Sequence, residues 1–108
     1  YNVTVGLQLA ANCRLWIEDI YTNRIAGDGK GQYGACSESL RDDSAYNQIE
    51  FPDQEYYVVT KVEASFRKEK KRGPFNGNVC LCISGTVDIF SFDTVDCGQL
   101  FTDQACTG

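Results

Sequence analysis

Residues 13–25, CRLWIEDIYTNRI, decide the fold class of this chain. Their apolar side chains recur at the three- and four-residue spacing of an amphipathic helix. In that helix, however, Leu15 would point away from the apolar face. A strand would instead place Leu15 on the same side as Cys13 and Ile17, although Asp19 interrupts the alternation. We predict a helix here and keep a strand as the alternative.

Outside this stretch, several segments show the two-residue alternation of β-strands. The predicted strands are 3–9, 56–66, 78–84 and 86–92. In the second of these, the alternation places Phe66 on the same face as Val58 and Val62. The dipeptide Asn76-Gly77 is a strong hairpin signal, and Ser84-Gly85 marks another turn. We therefore predict that the last three strands form a consecutive antiparallel meander.

The remaining segments complete a single-domain prediction for residues 1–108. Residues 27–34 contain four glycines and predict a loop. Residues 36–48 are compatible with a short helix, and 96–106 with a helical turn. The predicted fold class is α+β, with a mainly antiparallel sheet, one or two short helices and three disulfides. If residues 13–25 form a strand, the alternative is an all-β sandwich.

Six cysteines in 108 residues predict a disulfide framework, and with it an oxidising, extracellular compartment. Structural zinc sites usually contain Cys pairs separated by two to four intervening residues, or mixed Cys and His ligands. This chain has one C-x-C and no histidine, so we expect disulfides and neither a metal nor another cofactor. The cysteines are Cys13, Cys36, Cys80, Cys82, Cys97 and Cys106.

The C-x-C pair constrains the disulfide architecture without fixing the pairing. In a strand, Cys80 and Cys82 project to one face, opposite Leu81. One intervening residue leaves poor geometry for a bond between them, so each is expected to reach a different segment. Six cysteines allow 15 pairings, and the sequence does not choose among them.

Charge is distributed unevenly along the chain, which has a net charge of −5. Six of the ten basic residues fall within 61–72, and none follows Arg72. A cationic hairpin there would bind anionic lipid, sulfated glycan or nucleic-acid phosphate. The alternative is a solvated hairpin tip whose charges discourage aggregation. The candidate binding residues are Arg67, Lys68, Lys70, Lys71 and Arg72.

Several kinds of enzyme are excluded or disfavoured by the sequence. The chain has no histidine, which removes the base of Ser-His-Asp and Cys-His systems. Residues 29–34 match G-x-G-x-x-G, but a dinucleotide site needs a βαβ unit around that motif. Glu50, Asp53 and Glu55 offer carboxylates for a hydrolase, yet a Pro-containing connection into a strand also explains them. We predict that the protein is not an enzyme.

In its size, its six cysteines with a C-x-C in a strand, and its lack of a catalytic histidine, the chain resembles small secreted cysteine-rich proteins of fungi. These include plant-infection effectors and killer-toxin-like proteins. The resemblance implies an α+β sandwich in the killer-toxin-like group and a nuclease fold, often without its catalytic residues, in the ribonuclease-like group. It assigns no binding residue in this sequence.

These observations lead to three functional hypotheses. The first is a secreted, non-enzymatic effector, expected to be a monomer, that binds an unknown host protein or an anionic surface ligand. The second is a toxin-like or antimicrobial protein that acts at membranes or cell walls through the basic hairpin. The third is a small carbohydrate-binding protein. Because the chain begins at Tyr1 and not Met, we expect a removed signal peptide. We expect no stable membrane insertion, since no apolar run approaches about 20 residues.

Overall fold

The computed structural model describes residues 1–36 and 46–98. All nine elements with defined bounds in these two ranges are β-strands. In chain order they are β1 (Asn2–Leu9), β2 (Asn12–Asp19), β3 (Arg24–Gly27), β4 (Gly34–Ala35), β5 (Tyr46–Glu50), β6 (Tyr56–Val62), β7 (Lys70–Phe75), β8 (Val79–Gly85) and β9 (Phe90–Val95).

The strands form two sheets that enclose one core. The first sheet has the order β5-β1-β8-β9, and the second has the order β3-β2-β6-β7, with β4 also paired to β2. Strands β1 and β8 are parallel, and the other pairs are antiparallel. Side chains from both sheets, among them Val5, Leu81 and Phe92 from the first and Ile17 and Val58 from the second, belong to one buried cluster. The described part is therefore an all-β sandwich.

The predicted α+β class is wrong, because the segment that decided it forms strands. Cys13, Leu15 and Ile17 all point into the core, as the strand alternative required. Asp19 ends β2 and starts a turn, in which its Oδ1 accepts hydrogen bonds from the backbone N–H groups of Tyr21 and Asn23 at 2.8 and 3.0 Å. These hydrogen bonds hold the pKa of Asp19 below its ordinary value. The all-β sandwich, our alternative, is the observed fold.

The other helical predictions fall partly outside the described residues. Within 36–48, residues 46–48 lie in β5 and not in a helix, whereas 37–45 are not described. Within 96–106, residues 97–98 are helical, and the rest of that segment lies outside the described ranges. None of the described helical residues belongs to a helix long and apolar enough to cross a membrane.

The predicted meander is also wrong, since its strands divide between the two sheets. Strand β6 pairs with β2 and β7 in the second sheet, whereas β8 pairs with β1 and β9 in the first. Asn76-Gly77 therefore lies in the crossing from one sheet to the other and not in a hairpin. The predicted strand 86–92 begins four residues late, at Phe90, after a turn in which the Thr86 N–H donates to the Ile89 carbonyl at 2.8 Å. The predicted strands 3–9 and 78–84 are confirmed as β1 and β8.

Two disulfides join described cysteines, one inside the core and one outside it. Cys13 in β2 is bonded to Cys36, and both side chains lie in the core. Cys80 in β8 is bonded to Cys97 on the outer face of the first sheet. Cys80 and Cys82 share that face, as predicted, and form a small buried cluster apart from the main core. Cys82 is likewise disulfide-bonded.

No cysteine within the two described ranges is free. Those ranges also contain no group of three His, Cys, Asp or Glu side chains able to hold a metal. The prediction for Cys106 lies outside them. Bonded cysteines are consistent with an oxidising extracellular compartment.

Tyr56, the first residue of β6, closes one end of the core. Its side chain is fully buried, with the ring centroid 4.6 Å from that of Phe51 and 5.8 Å from that of Phe75. The hydroxyl donates a hydrogen bond to the Gly77 carbonyl at 2.6 Å. Burial, and secondarily the proximity of Tyr1, raises the pKa of Tyr56 to about 12.

We expect the protein to lose stability in alkali because of Tyr56. Its pKa is raised from 10.0 to about 12, so the stabilisation is complete below pH 10 and is lost as the pH rises through the folded-state value. Tyr56→Phe should remove this part of the alkaline loss. At neutral pH it should cost about 1 kcal/mol through the lost hydrogen bond. Thermal unfolding followed across this pH range tests both, and parallel stability curves for the two proteins would contradict the assignment.

Candidate binding surface

The basic run is not a free hairpin tip, because half of it forms an edge strand. β7 lies at the end of the second sheet, beside β6. Its alternation sends Lys70 and Arg72 one way and Lys71 the other. Pro74 is tolerated in β7, since an edge strand needs no donor on its open side. The basic residues predicted to form one cationic hairpin therefore divide between β7, which begins at Lys70, and the loop that precedes it.

Lys70 and Arg72 bind the edge of the opposite sheet. The Lys70 ammonium donates to the Phe90 carbonyl at 2.8 Å, and the Arg72 Nε donates to the Phe92 carbonyl at 2.7 Å. Lys70 also lies 4.5 Å from the centre of the Phe90 ring. These side chains satisfy edge carbonyls of β9 that no strand of the described ranges pairs. Their first role is therefore to close one side of the sandwich.

Lys71 faces the outside of the second sheet, where it neutralises Glu18. Its ammonium lies 2.8 Å from Glu18 Oε1. The Trp16 indole N–H donates to Glu18 Oε2, also at 2.8 Å. Arg14 stacks on the other side of this group, with its guanidinium carbon 4.3 Å from the centre of the Trp16 ring. These contacts cover this face of the sheet, while the buried Nε of Arg14 makes no hydrogen bond with the described residues.

The loop part, residues 63–69, is exposed and held in a defined shape. Oδ1 of Asp88 accepts hydrogen bonds from the Ser65 hydroxyl and from the Phe66 backbone N–H, both at 3.1 Å. The Lys61 ammonium donates to the Ser65 and Arg67 carbonyls at 3.3 and 2.8 Å. These bonds anchor a loop whose most prominent side chain, Phe66, is 95% exposed.

The β8–β9 turn presents a second apolar side chain beside this loop. Ile89 is 77% exposed and follows Asp88, the residue that anchors the loop. Arg67 links the two segments through a hydrogen bond from its Nε to the Asp88 carbonyl at 2.8 Å. Lys68 is exposed and makes no hydrogen bond or ion pair with the described residues. We define the tip surface as Phe66, Arg67, Lys68, Lys70 and Ile89.

A pocket of about 220 Å³ opens beside the tip surface. Two of its lining residues are basic, one is acidic and two are apolar. They are Arg67, Lys70, Asp88, Ile89 and Phe90. Three of the five belong to the tip surface, so the pocket and the exposed apolar side chains form one continuous region.

The other sequence candidates do not join this region. The glycine motif at 29–34 connects β3 to β4 and ends in β4. The predicted loop 27–34 is confirmed for 28–33, since Gly27 ends β3 and Gly34 begins β4. Asp28 Oδ2 accepts a hydrogen bond there from the Leu15 backbone N–H at 2.9 Å. Among the carboxylates, Asp53 binds the Tyr1 ammonium at 2.6 Å. Tyr1 packs against Tyr56, at the end of the core away from the loop 63–69.

Sequence reasoning missed Phe66 and Ile89 as surface residues because it placed both inside strands. Strand β6 instead ends at Val62, and Ala64 adopts a positive φ of 61° that turns the chain. The alternation of 56–66 runs straight through this turn and gives no local signal for it. Ile89 was missed for the same reason, since the register of β9 depends on its pairing with β8.

No protein-family model, curated protein or solved structure matches this chain. The comparisons therefore give the fungal resemblance no support, and the structure supports only a small, β-rich domain with disulfides. The α+β sandwich implied by the killer-toxin-like group differs from the all-β architecture observed.

Proposed function

We propose that this chain is a secreted, non-enzymatic binding protein that docks peripherally on anionic membranes through the tip surface. The observation that carries this proposal is Phe66, an aromatic side chain 95% exposed on a loop fixed by Asp88. Large exposed apolar side chains in contiguous patches mark interaction sites on folded proteins. A loop fixed by hydrogen bonds keeps this side chain outside the core.

The neighbouring charges favour a membrane as the target. Apolar side chains that enter the boundary between headgroups and acyl chains bind more strongly when cations beside them attract anionic lipids. Arg67 and Lys68 follow Phe66 in the chain, and each basic residue near such a surface contributes about 1 kcal/mol. A protein–protein interface typically buries about 800 Å² on each partner. The tip surface has only two large exposed apolar side chains, too few to supply the apolar part of such an area.

The proposal retains the second functional hypothesis in a narrower form. Binding would use the loop residues, while Lys71 and Arg72 remain engaged within the sandwich. Docking at the surface also agrees with the expectation that the chain does not insert stably into a membrane. That the target is a host cell, and that the source is a fungus, stay predictions from the sequence.

Co-sedimentation with lipid vesicles tests the proposal. We expect binding to vesicles of phosphatidylcholine mixed with phosphatidylserine, weaker binding at high salt, and little binding to phosphatidylcholine alone. Phe66→Ala should weaken binding by at least about tenfold, because a buried Phe side chain contributes roughly 1.5–3 kcal/mol. Lys68→Gln should weaken it about fivefold by removing one cation near the surface.

Tyr21→Ala provides the matched control for Phe66→Ala. Tyr21 is an exposed aromatic residue, 76% accessible, in the turn after β2. Asp19 pairs with Tyr56 at the start of β6, whereas the loop 63–69 follows the end of β6, so this turn lies at the other end of the sheet. Its removal should leave vesicle binding unchanged. Equal losses from both alanine variants, or no binding to either type of vesicle, would refute the proposal.

A further inference from the structure

We propose that the pocket beside the tip surface holds the phosphate and an adjacent hydroxyl of a lipid headgroup such as phosphatidylglycerol. This inference rests on the proposed membrane function and adds specificity to it. The pocket lies between the end of the 63–69 loop and the β8–β9 turn. Its volume is about 220 Å³. That space accommodates a phosphate with a short hydroxylated fragment.

The two cations of the pocket keep hydrogen-bond donors in reserve. The Lys70 ammonium uses one of its donors on the Phe90 carbonyl. Arg67 uses its Nε–H on the Asp88 carbonyl, and this leaves its terminal amino groups. Neither side chain makes another hydrogen bond or ion pair with the described residues. Phosphate oxygens are well matched to such donors, because charge-assisted hydrogen bonds are the stronger kind.

Asp88 gives the pocket its requirement for a hydroxyl. Its Oδ1 accepts the hydrogen bonds from Ser65 and Phe66, and those bonds leave Oδ2 as an acceptor. A bound anion without a hydrogen-bond donor would be repelled by the Asp88 carboxylate, although Arg67 and Lys70 together attract it. A phosphate ester whose carbon chain carries a hydroxyl satisfies both the carboxylate and the cations. The hydroxyl donates to Asp88, while the phosphate accepts from Arg67 and Lys70.

The position of the pocket agrees with docking through Phe66 and Ile89. Ile89 belongs both to the pocket wall and to the exposed tip. When the tip meets a membrane, the apolar side chains reach the acyl boundary while the pocket stays among the headgroups. The same contact would therefore bring a headgroup phosphate to Arg67 and Lys70.

The first arm of the test compares two lipids of the same net charge. We expect about tenfold tighter binding to vesicles containing phosphatidylglycerol than to vesicles with the same fraction of phosphatidylserine. Asp88→Asn should abolish this preference, because it keeps the oxygen that accepts from Ser65 and Phe66 but replaces the acceptor for the hydroxyl by an amide donor. Lys68→Met, the matched control outside the pocket, should weaken both equally. Thermal unfolding checks that Asp88→Asn remains folded.

The second arm uses soluble probes and separates this inference from the proposed function. Glycerol 3-phosphate should shift the backbone amide NMR signals of Lys70, Asp88 and Ile89 at lower concentration than inorganic phosphate does. If the vesicles do not bind but these signals shift, the membrane proposal fails and the pocket stands. If both lipids bind equally and glycerol 3-phosphate shifts nothing, the pocket proposal fails and the membrane function stands. Equal shifts with inorganic phosphate would overturn the hydroxyl requirement.

Discussion

Phe92→Ala is expected to lower the free energy of unfolding by about 3–5 kcal/mol, the usual effect of truncating a buried Phe. Phe92 is completely buried and belongs to the main core. It lies in β9, an edge strand of the first sheet, and its carbonyl accepts the hydrogen bond from Arg72. The truncation removes packing where the two sheets are bridged. Urea denaturation followed by tryptophan fluorescence measures the loss.

Phe66→Ala is the matched control, since the same atoms are removed from a side chain that is 95% exposed. Its free energy of unfolding should change by no more than about 0.5 kcal/mol. A large loss from Phe66→Ala would mean that the loop packs inward, as the sequence-based strand 56–66 required. It would also remove the basis of the membrane proposal.

Replacing Cys13 and Cys36 together by alanine is expected to cost about 3–5 kcal/mol. The two cysteines are separated by 23 residues, and closing a loop of that size constrains the unfolded chain by about 3 kcal/mol. Both sulfur atoms also lie in the main core, with the side chains 1% and 3% exposed, so their removal adds lost packing. Thermal or urea unfolding of the double variant gives the magnitude.

The second disulfide supplies the comparison. Cys80 and Cys97 are separated by 17 residues, for which the same entropy relation gives about 3 kcal/mol. Cys80 lies in a small cluster outside the main core, so its removal loses less packing. We expect the Cys80→Ala, Cys97→Ala variant to be the more stable of the two. The reverse order would show that the outer cluster, and not the core between the sheets, limits stability.

The sequence predicted well those strands whose apolar residues alternate regularly with other residues. β1 and β8 were found near their observed bounds, and the shared face of Cys80 and Cys82 was confirmed. Period-two alternation is a local property, because successive side chains of a strand point to opposite faces whatever the rest of the chain does. It therefore identifies a strand without information about its partner.

β2 misled the sequence analysis because it is buried on both faces. Leu15 and Ile17 enter the core, while Trp16 on the opposite face is only 4% exposed beneath Arg14. Two-sided burial removes the polar half of the alternation, and the remaining apolar residues then fit a helical spacing. Arg14 and Glu18, which contact Trp16, belong to the stretch 13–25. Lys71, which pairs with Glu18, comes from β7, and the local spacing gives no sign of it.

The sequence by itself determined a disulfide-stabilised, strand-rich domain without the histidine that many hydrolases need, and it located the charged segment in 61–72. Only the tertiary structure decided which of those charges remain accessible. Lys70 and Arg72 meet the β9 carbonyls, and Lys71 meets Glu18, because β7 packs at the edge of the sandwich. Such partners lie far apart in the chain, and local spacing carries no information about them. The exposed tip around Phe66 is what this packing leaves at the surface.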